Sequence, residues 1–176
     1  MLDSDALADY TRGRLDAADA LTDQILSRSL AEVRRWCGWH VTPSRADTAV
    51  PIDGPGGRLL RLPTLKLLTL TAVTEDGVAV NLADLEWSQT GVVRKTTGEF
   101  WTSRLSGITV TMTHGFDSAE DFETAVFSVA DRRSQAAAGG IPIAVGPFRF
   151  SEEKMGSAFT GAELSILDRY RLESMA

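Results

Sequence analysis

Apolar positions change their spacing several times along the chain, and the changes mark out its elements. Between residues 3 and 38 the spacing is helical: Leu26, Leu30, Val33 and Cys37 recur at intervals of four, three and four, with Leu21 and Ile25 beside them. Those intervals put the residues on one stripe of a helix. Asp16 is placed to cap this helix and Gly38 to end it, while a shorter helix before it has Asp3 or Ser4 as its cap and Gly13 as a stop near Arg12. From Trp39 to Gly57 the rhythm breaks. Pro43, Pro51 and Pro55 predict an irregular segment, and its DGPGG run, Asp53 to Gly57, is a turn-rich loop.

From Arg58 to Gly115 the period drops to two. Leu60, Leu62, Leu68, Leu70, Ala72, Val78 and Val80 alternate with polar neighbours, and Glu75-Asp76-Gly77 is a hairpin signal. GVVRKTTGEFW, Gly91 to Trp101, suggests a second hairpin, and Ile108, Val110 and Met112 form one face of a last strand. The region predicts a small antiparallel sheet. Asp117 or Ser118 then opens a third helix, with Ser118 and Asp121 at capping-box spacing and Phe122, Val126, Val129 and Ala130 as the buried stripe. The AAAGG run, Ala136 to Gly140, closes it.

Residues 141 to 159, with two prolines and little pattern, predict an extended arm. Thr160 and Glu163 form a capping box for a terminal helix with Leu164, Leu167, Tyr170 and Arg171 on one side. The expected fold is α+β: an N-terminal helical pair, a small antiparallel β-sheet of hairpins, a packing helix after the last strand, and a C-terminal arm with a terminal helix. The domain reading is a core over 1–138 (helices 3–38, β region 58–115, helix 118–138) and an arm with a docking helix over 139–176.

Composition supports a folded chain: 176 residues, 43% hydrophobic and 24% charged, suffice to bury a core. A net charge of -6 disfavours adhesion to phosphate backbones or anionic membrane. The doublets Arg34-Arg35 and Arg132-Arg133 read as solvated helix faces, so dedicated nucleic-acid recognition is not expected. Cys37 is the sole cysteine, which rules out an intramolecular disulfide. MLDSDALADY lacks the basic and apolar regions of a secretory signal, and no apolar run approaches the roughly 20 residues that span a bilayer. The expectation is a soluble protein made in the cytoplasm.

Candidate chemistry centres on His114, at the end of the last strand with Asp117 three residues on. A general base needs an orienting carboxylate and a nucleophile or metal as third party. Thr113 points to the opposite strand face from His114, Asp117 stands where a helix needs an N-terminal acceptor, and Gly115 suits a turn. The residues therefore read as a corner. Cys37 and His40 have half-site spacing, but one cysteine and two histidines cannot complete a structural zinc site without carboxylates. DGPGGR lacks the ending of a phosphate-binding loop, and no nucleophile elbow occurs. Trp36, Trp39, Trp87 and Trp101 read as core or cross-strand aromatics, with an interface role as the alternative. No catalytic, cofactor or metal site is expected.

Taken in order, these segments resemble the head-to-tail adaptor (head-tail connector) proteins of long-tailed double-stranded DNA bacteriophages, in particular those of actinobacteria. The resemblance is carried by the N-terminal helical pair ending in an aromatic near Pro43, by LRLPTLKLLTLTAVTEDGVAV, by LEWSQTGVVRKTTGEFW, by ITVTMTHGFDSAEDFETAVFSVADR, and by VGPFRFSEE with LSILDRYRL. The chain departs from the family where SAEDF replaces a helix that usually begins with proline.

The resemblance implies a structural virion protein without enzymatic activity. It would form a ring, commonly twelvefold, at the neck between the portal and a head-closure or tail-side protein, and double-stranded DNA would pass through without sequence recognition. The protein would reside in the virion and, during assembly, in the host cytoplasm. The C-terminal arm would face the portal, which makes Phe148, Arg149, Phe150, Leu164, Leu167, Tyr170 and Arg171 the expected contact residues. A head-closure or tail-completion protein is the alternative within virion structure, and a small hydrolase using His114 is the alternative outside it.

Overall fold

The computed structural model describes residues 2–137, 144–145, 148–149 and 159–172. Among the described residues, four α-helices and antiparallel sheets make it an α+β fold. The chain divides into two compact units, one helical (Met1–Cys37 with Glu120–Arg171) and one β-rich (Gly38–Ala119, joined by residues 172–176).

In the helical unit, α1 (Ser4–Tyr10) is capped by Asp3, whose side chain accepts a hydrogen bond from the Ala6 N–H. Helix α2 (Ala20–Cys37) starts later than Asp16. Asp16 accepts from the Ala18 N–H in a turn that precedes the helix, and Asp19 accepts from the Leu21 N–H at its start. The buried face of α2 consists of Thr22, Ile25, Leu26, Ser29, Val33 and Cys37. Leu30 is only partly buried and Leu21 is exposed, so the apolar stripe is rotated from the expected one. Small Thr22 and Ser29 belong to that buried face, and α2 packs against α1 and α3 (Glu120–Ala137). On α3, Phe122, Val126, Val129 and Ala130 are all buried, as their spacing predicts.

Helix α4 (Gly161–Leu167), continued by a 3₁₀ turn Asp168–Tyr170, belongs to this same unit. Its capping box is complete. The Glu163 N–H donates to Thr160 Oγ1 at 3.3 Å and the Thr160 N–H donates to Glu163 Oε2 at 2.7 Å. Between α3 and α4 the described residues contain only a short strand pair, Ala144–Val145 with Phe148–Arg149 (β8 and β9 in chain order). The rest of the expected arm lies outside the described residues, as does the end of the AAAGG run.

The β-rich unit holds two sheets where the alternation predicted one. A four-stranded sheet has the order β1 (Arg45–Ile52), β7 (Ile108–His114), β3 (Leu67–Glu75), β4 (Val78–Val80), and a three-stranded sheet has the order β2 (Leu59–Arg61), β6 (Val92–Lys95), β5 (Leu85–Trp87). The irregular stretch from Leu62 to Lys66, with Pro63, separates β2 from β3 and sends them to different sheets. Their inner faces share one core that includes Leu60, Leu67, Val73, Val93, Trp101, Ile108 and Met112.

Strand β1 runs through the segment expected to be irregular. It is an edge strand, so Pro51 forgoes no needed ladder bond, and a bulge between Asp47 and Val50, with Ala49 at φ 54, hides its alternation. In β3 the buried residues are Leu67, Leu70 and Val73, not Leu68, Leu70 and Ala72. Two register shifts, Leu67/Thr69 and Leu70/Ala72, each advance the phase by one residue and convert a period of two into three. The Asp76-Gly77 hairpin stands as predicted, both residues having positive φ, the geometry that suits the twist of paired strands. The second hairpin joins β5 to β6, so its second strand lies in the expected stretch, Gly91 to Trp101, while its first strand and turn lie before it. After Lys95 the chain is irregular up to Gly107, and Trp101 is drawn into the core.

Candidate functional site

The corner at the end of β7 is where catalysis has to be sought. Strand alternation puts His114 on the inner face with Ile108, Val110 and Met112, and it is 3% exposed. Its Nε2 lies 3.0 Å from Asp47 Oδ2, across the ladder on β1. Arg45 donates to the same carboxylate oxygen at 2.9 Å. Burial of Asp47 pushes its pKa up, but hydrogen bonds from His114 and Arg45 and the Arg45 charge outweigh this and hold it below the ordinary 3.8. The other face of the histidine is filled by rings. His40 meets it edge-on at 4.5 Å between centroids, and Trp39 stacks at 6.3 Å.

Asp117, the carboxylate nearest in sequence, is not the histidine's partner. It accepts a hydrogen bond from the Ser44 hydroxyl, and α3 begins at Glu120, so it does not cap that helix either. The chain beyond the strand is pinned by the Gly115 N–H to Lys66 O and by the Phe116 N–H to Val41 O, both 2.8 Å. Among the described residues, His114 Nδ1 has no hydrogen-bond partner, so no hydroxyl or thiol stands ready for it to activate. The arrangement is an Asp–His pair closed in by aromatic rings, and its chemistry is that of a packed corner.

Cys37 belongs to the helical unit and His40 to the β-rich one. The Cys37 thiol is fully buried, with Leu167 O as its acceptor at 3.9 Å. Among the described residues no group of three or more His, Cys, Asp or Glu side chains is arranged to hold a metal ion, and no helix is long and apolar enough to cross a membrane.

The C-terminal residues expected to meet the portal have different surroundings. Leu167 is fully buried, and Tyr170 donates to Asp121 and packs edge-on against Phe122. Arg171 lies 4.8 Å above the Trp36 ring, and Leu164 is half-buried. Phe148 and Arg149 are placed by their backbone in a two-residue strand, and Phe150 lies outside the described residues. What sequence reasoning missed here is the set of partners that Glu163 finds on α3. Glu163 is 5% exposed, yet its carboxylate accepts from Ser128 Oγ at 2.6 Å, from both Arg132 terminal nitrogens at 3.1 and 2.8 Å, and from the Thr160 N–H. A capping glutamate is visible in sequence, but its bidentate arginine 31 residues away is not.

Burial pushes the Glu163 pKa up, while Arg132, Ser128 and the Thr160 N–H together bring it below the ordinary 4.5. A carboxylate whose pKa is lower folded than unfolded adds stability above its unfolded value, and that stability is lost as pH falls through the folded one. Thermal stability is therefore expected to be nearly flat from about pH 7 to about pH 5 and to weaken below about pH 4.5 as Glu163 and Asp47 protonate. Replacing Glu163 with Gln should reduce the acid slope; an unchanged slope counts against a stabilising Glu163–Arg132 pair.

No family model and no curated protein sequence matches the chain. Solved structures do. One chain from the neck of a native GTA particle, computed with C12 symmetry, superposes with a TM-score of 0.59 at 17% identity, covering 100% of this chain and 94% of that one. In fold, this chain is similar to a particle-neck protein. A second, from the neck of an empty GTA particle computed with C6 symmetry, gives 0.60 at 15% identity over 98% of this chain and 90% of that one. GTA denotes a gene transfer agent, a phage-like particle. At these identities the likeness is one of fold, and it extends over the whole chain.

Proposed function

We propose that this protein is a structural component of a virion neck, a head-to-tail adaptor of actinobacteriophage type that forms a ring between the portal and the head-closure or tail-side protein. The observation that carries the proposal is the full-length likeness in fold to neck chains from particles of C12 and C6 symmetry. It agrees with the head-to-tail resemblance of the sequence segments. The ring is twelvefold in the virion and part of the conduit through which DNA is ejected. A net charge of -6 suits that role, because such a protein does not hold DNA by attraction. The role is non-enzymatic, and the packed surroundings of His114 support that reading.

The portal contact is assigned to the C-terminal residues 139–176, the arm of the domain reading. Within it, Leu167 and Tyr170 are engaged with the helical unit, which leaves Phe148, Arg149, Phe150, Leu164 and Arg171 as the side chains proposed to meet the portal. Deleting the whole segment also removes buried Phe159 and Leu167, so point variants make the better test. Co-sedimentation of the full chain with assembled portal from the same particle is expected, and lost when Phe148 and Phe150 are both replaced by alanine without change in thermal stability. A double variant that still sediments with the portal contradicts the assignment. A chain that binds only tail-side proteins contradicts the adaptor reading.

A further inference from the structure

We propose that the outer face of the three-stranded sheet docks onto α1 of a second copy of this chain, an acidic helix against a basic, partly apolar sheet. The proposal rests on the ring reading and adds the residues that make its contact. On the outer face, Leu59 and Arg61 of β2 and Val92 and Arg94 of β6 are cross-strand neighbours, with Leu59 opposite Arg94 and Arg61 opposite Val92. The face is open. Leu59 is 50% exposed, Arg61 and Arg94 are exposed, and Trp87 at its margin is 41% exposed. Arg94 is ion-paired across the strand with Glu86, both of them exposed, whereas Arg61 makes no ion pair among the described residues and carries the face's unpaired positive charge. A patch of apolar side chains flanked by one unpaired guanidinium, Arg61, and one that would exchange an exposed Glu86 partner, Arg94, is suited to a partner that is itself both acidic and apolar.

The chain carries such a partner at its own N-terminus. Asp5 and Asp9 stand four residues apart on α1 and therefore share a face; both are exposed and neither makes an ion pair among the described residues. Tyr10 beside them is 44% exposed although it is a large aromatic. The spacings fit. One helical turn separates the carboxylates by roughly 6 Å, and the diagonal between Arg61 and Arg94 across a strand pair is roughly 7–8 Å. Because the two patches are made of different residues, the contact is heterologous, the kind that builds a ring when its rotation closes and not a two-fold dimer. Neck assemblies of C12 and C6 symmetry in the structurally similar chains have that geometry.

The test is charge reversal followed by mixing, read by sedimentation velocity of the full-length chain with circular dichroism as the check on folding. The pair Arg61→Glu and Arg94→Glu, and separately the pair Asp5→Lys and Asp9→Lys, are each expected to weaken self-association by about tenfold or more. An equimolar mixture should recover it, since an alternating ring of even number restores opposite charge at every contact. The neutral pair Asp5→Asn and Asp9→Asn, which spares the N-terminal turn a reversed charge, should show a smaller loss in the same direction. Rings that form unchanged in both reversed variants overturn this contact and leave the ring reading standing. Folded variants that stay apart and are not rescued by mixing overturn the pairing of the two patches. A wild-type chain that does not self-associate alone or with portal overturns the ring reading and this contact with it.

Discussion

Replacing Gly115 with alanine is expected to destabilise the β-rich unit by about 2–4 kcal/mol. Two causes act together. Gly115 has φ +110, a region that side-chain-bearing residues rarely occupy, and a Cβ there would stand 2.6 Å from His40 Nε2 and 3.0 Å from Pro43 O. Relief would require moving the His40 ring, which is itself packed against His114 and Trp39. Gly77 provides the control: it also has positive φ, but nothing lies within 4 Å of its Cβ, so Gly77→Ala should cost only about 1 kcal/mol. Urea denaturation of both variants measures the difference. Equal effects would mean that the corner is not packed as described.

Truncating Leu167 to alanine should cost about 2–4 kcal/mol, because the side chain is fully buried and its removal leaves a cavity. The same change should be visible at Cys37. Burial pushes that thiol up to about 12, with nearby Asp168 adding to the rise and Arg171 opposing it. A thiolate is the reactive form, so the native thiol should be inert to a thiol reagent near neutral pH. Leu167 O is its acceptor, so loosening the terminal helix opens the route to the sulfur. Faster labelling of Cys37 in the Leu167→Ala variant, at conditions where the protein stays folded, is the expected result. Unchanged stability with an inert thiol would show that α4 does not depend on Leu167.

These two positions also mark what could be read from sequence. Short-range chemistry was legible. The Asp76-Gly77 hairpin, the single face of Ile108, Val110 and Met112, the stripe on α3 and the Thr160–Glu163 capping box all depend on neighbours within a few residues, and all stand as expected. Register was not legible. Bulges in β1 and β3 insert residues that reset the alternation, so β1 read as irregular and β3 read out of phase. The histidine's partner was hidden for a related reason. Asp47 lies 67 residues from His114 and meets it only because β1 and β7 pair, whereas Asp117, close in sequence, turns to Ser44. Local spacing marked the corner as a corner, and pairing across the sheet supplied its contents.

The role proposed for this chain is a ring at a virion neck. Electron microscopy of the full-length protein mixed with its assembled portal tests it most directly. The account predicts a ring of this chain stacked on one face of the portal, coaxial with its channel, with the sheet face of each copy against α1 of the next. Portal particles that remain bare under saturating protein, or that carry single copies without a closed ring, would contradict it.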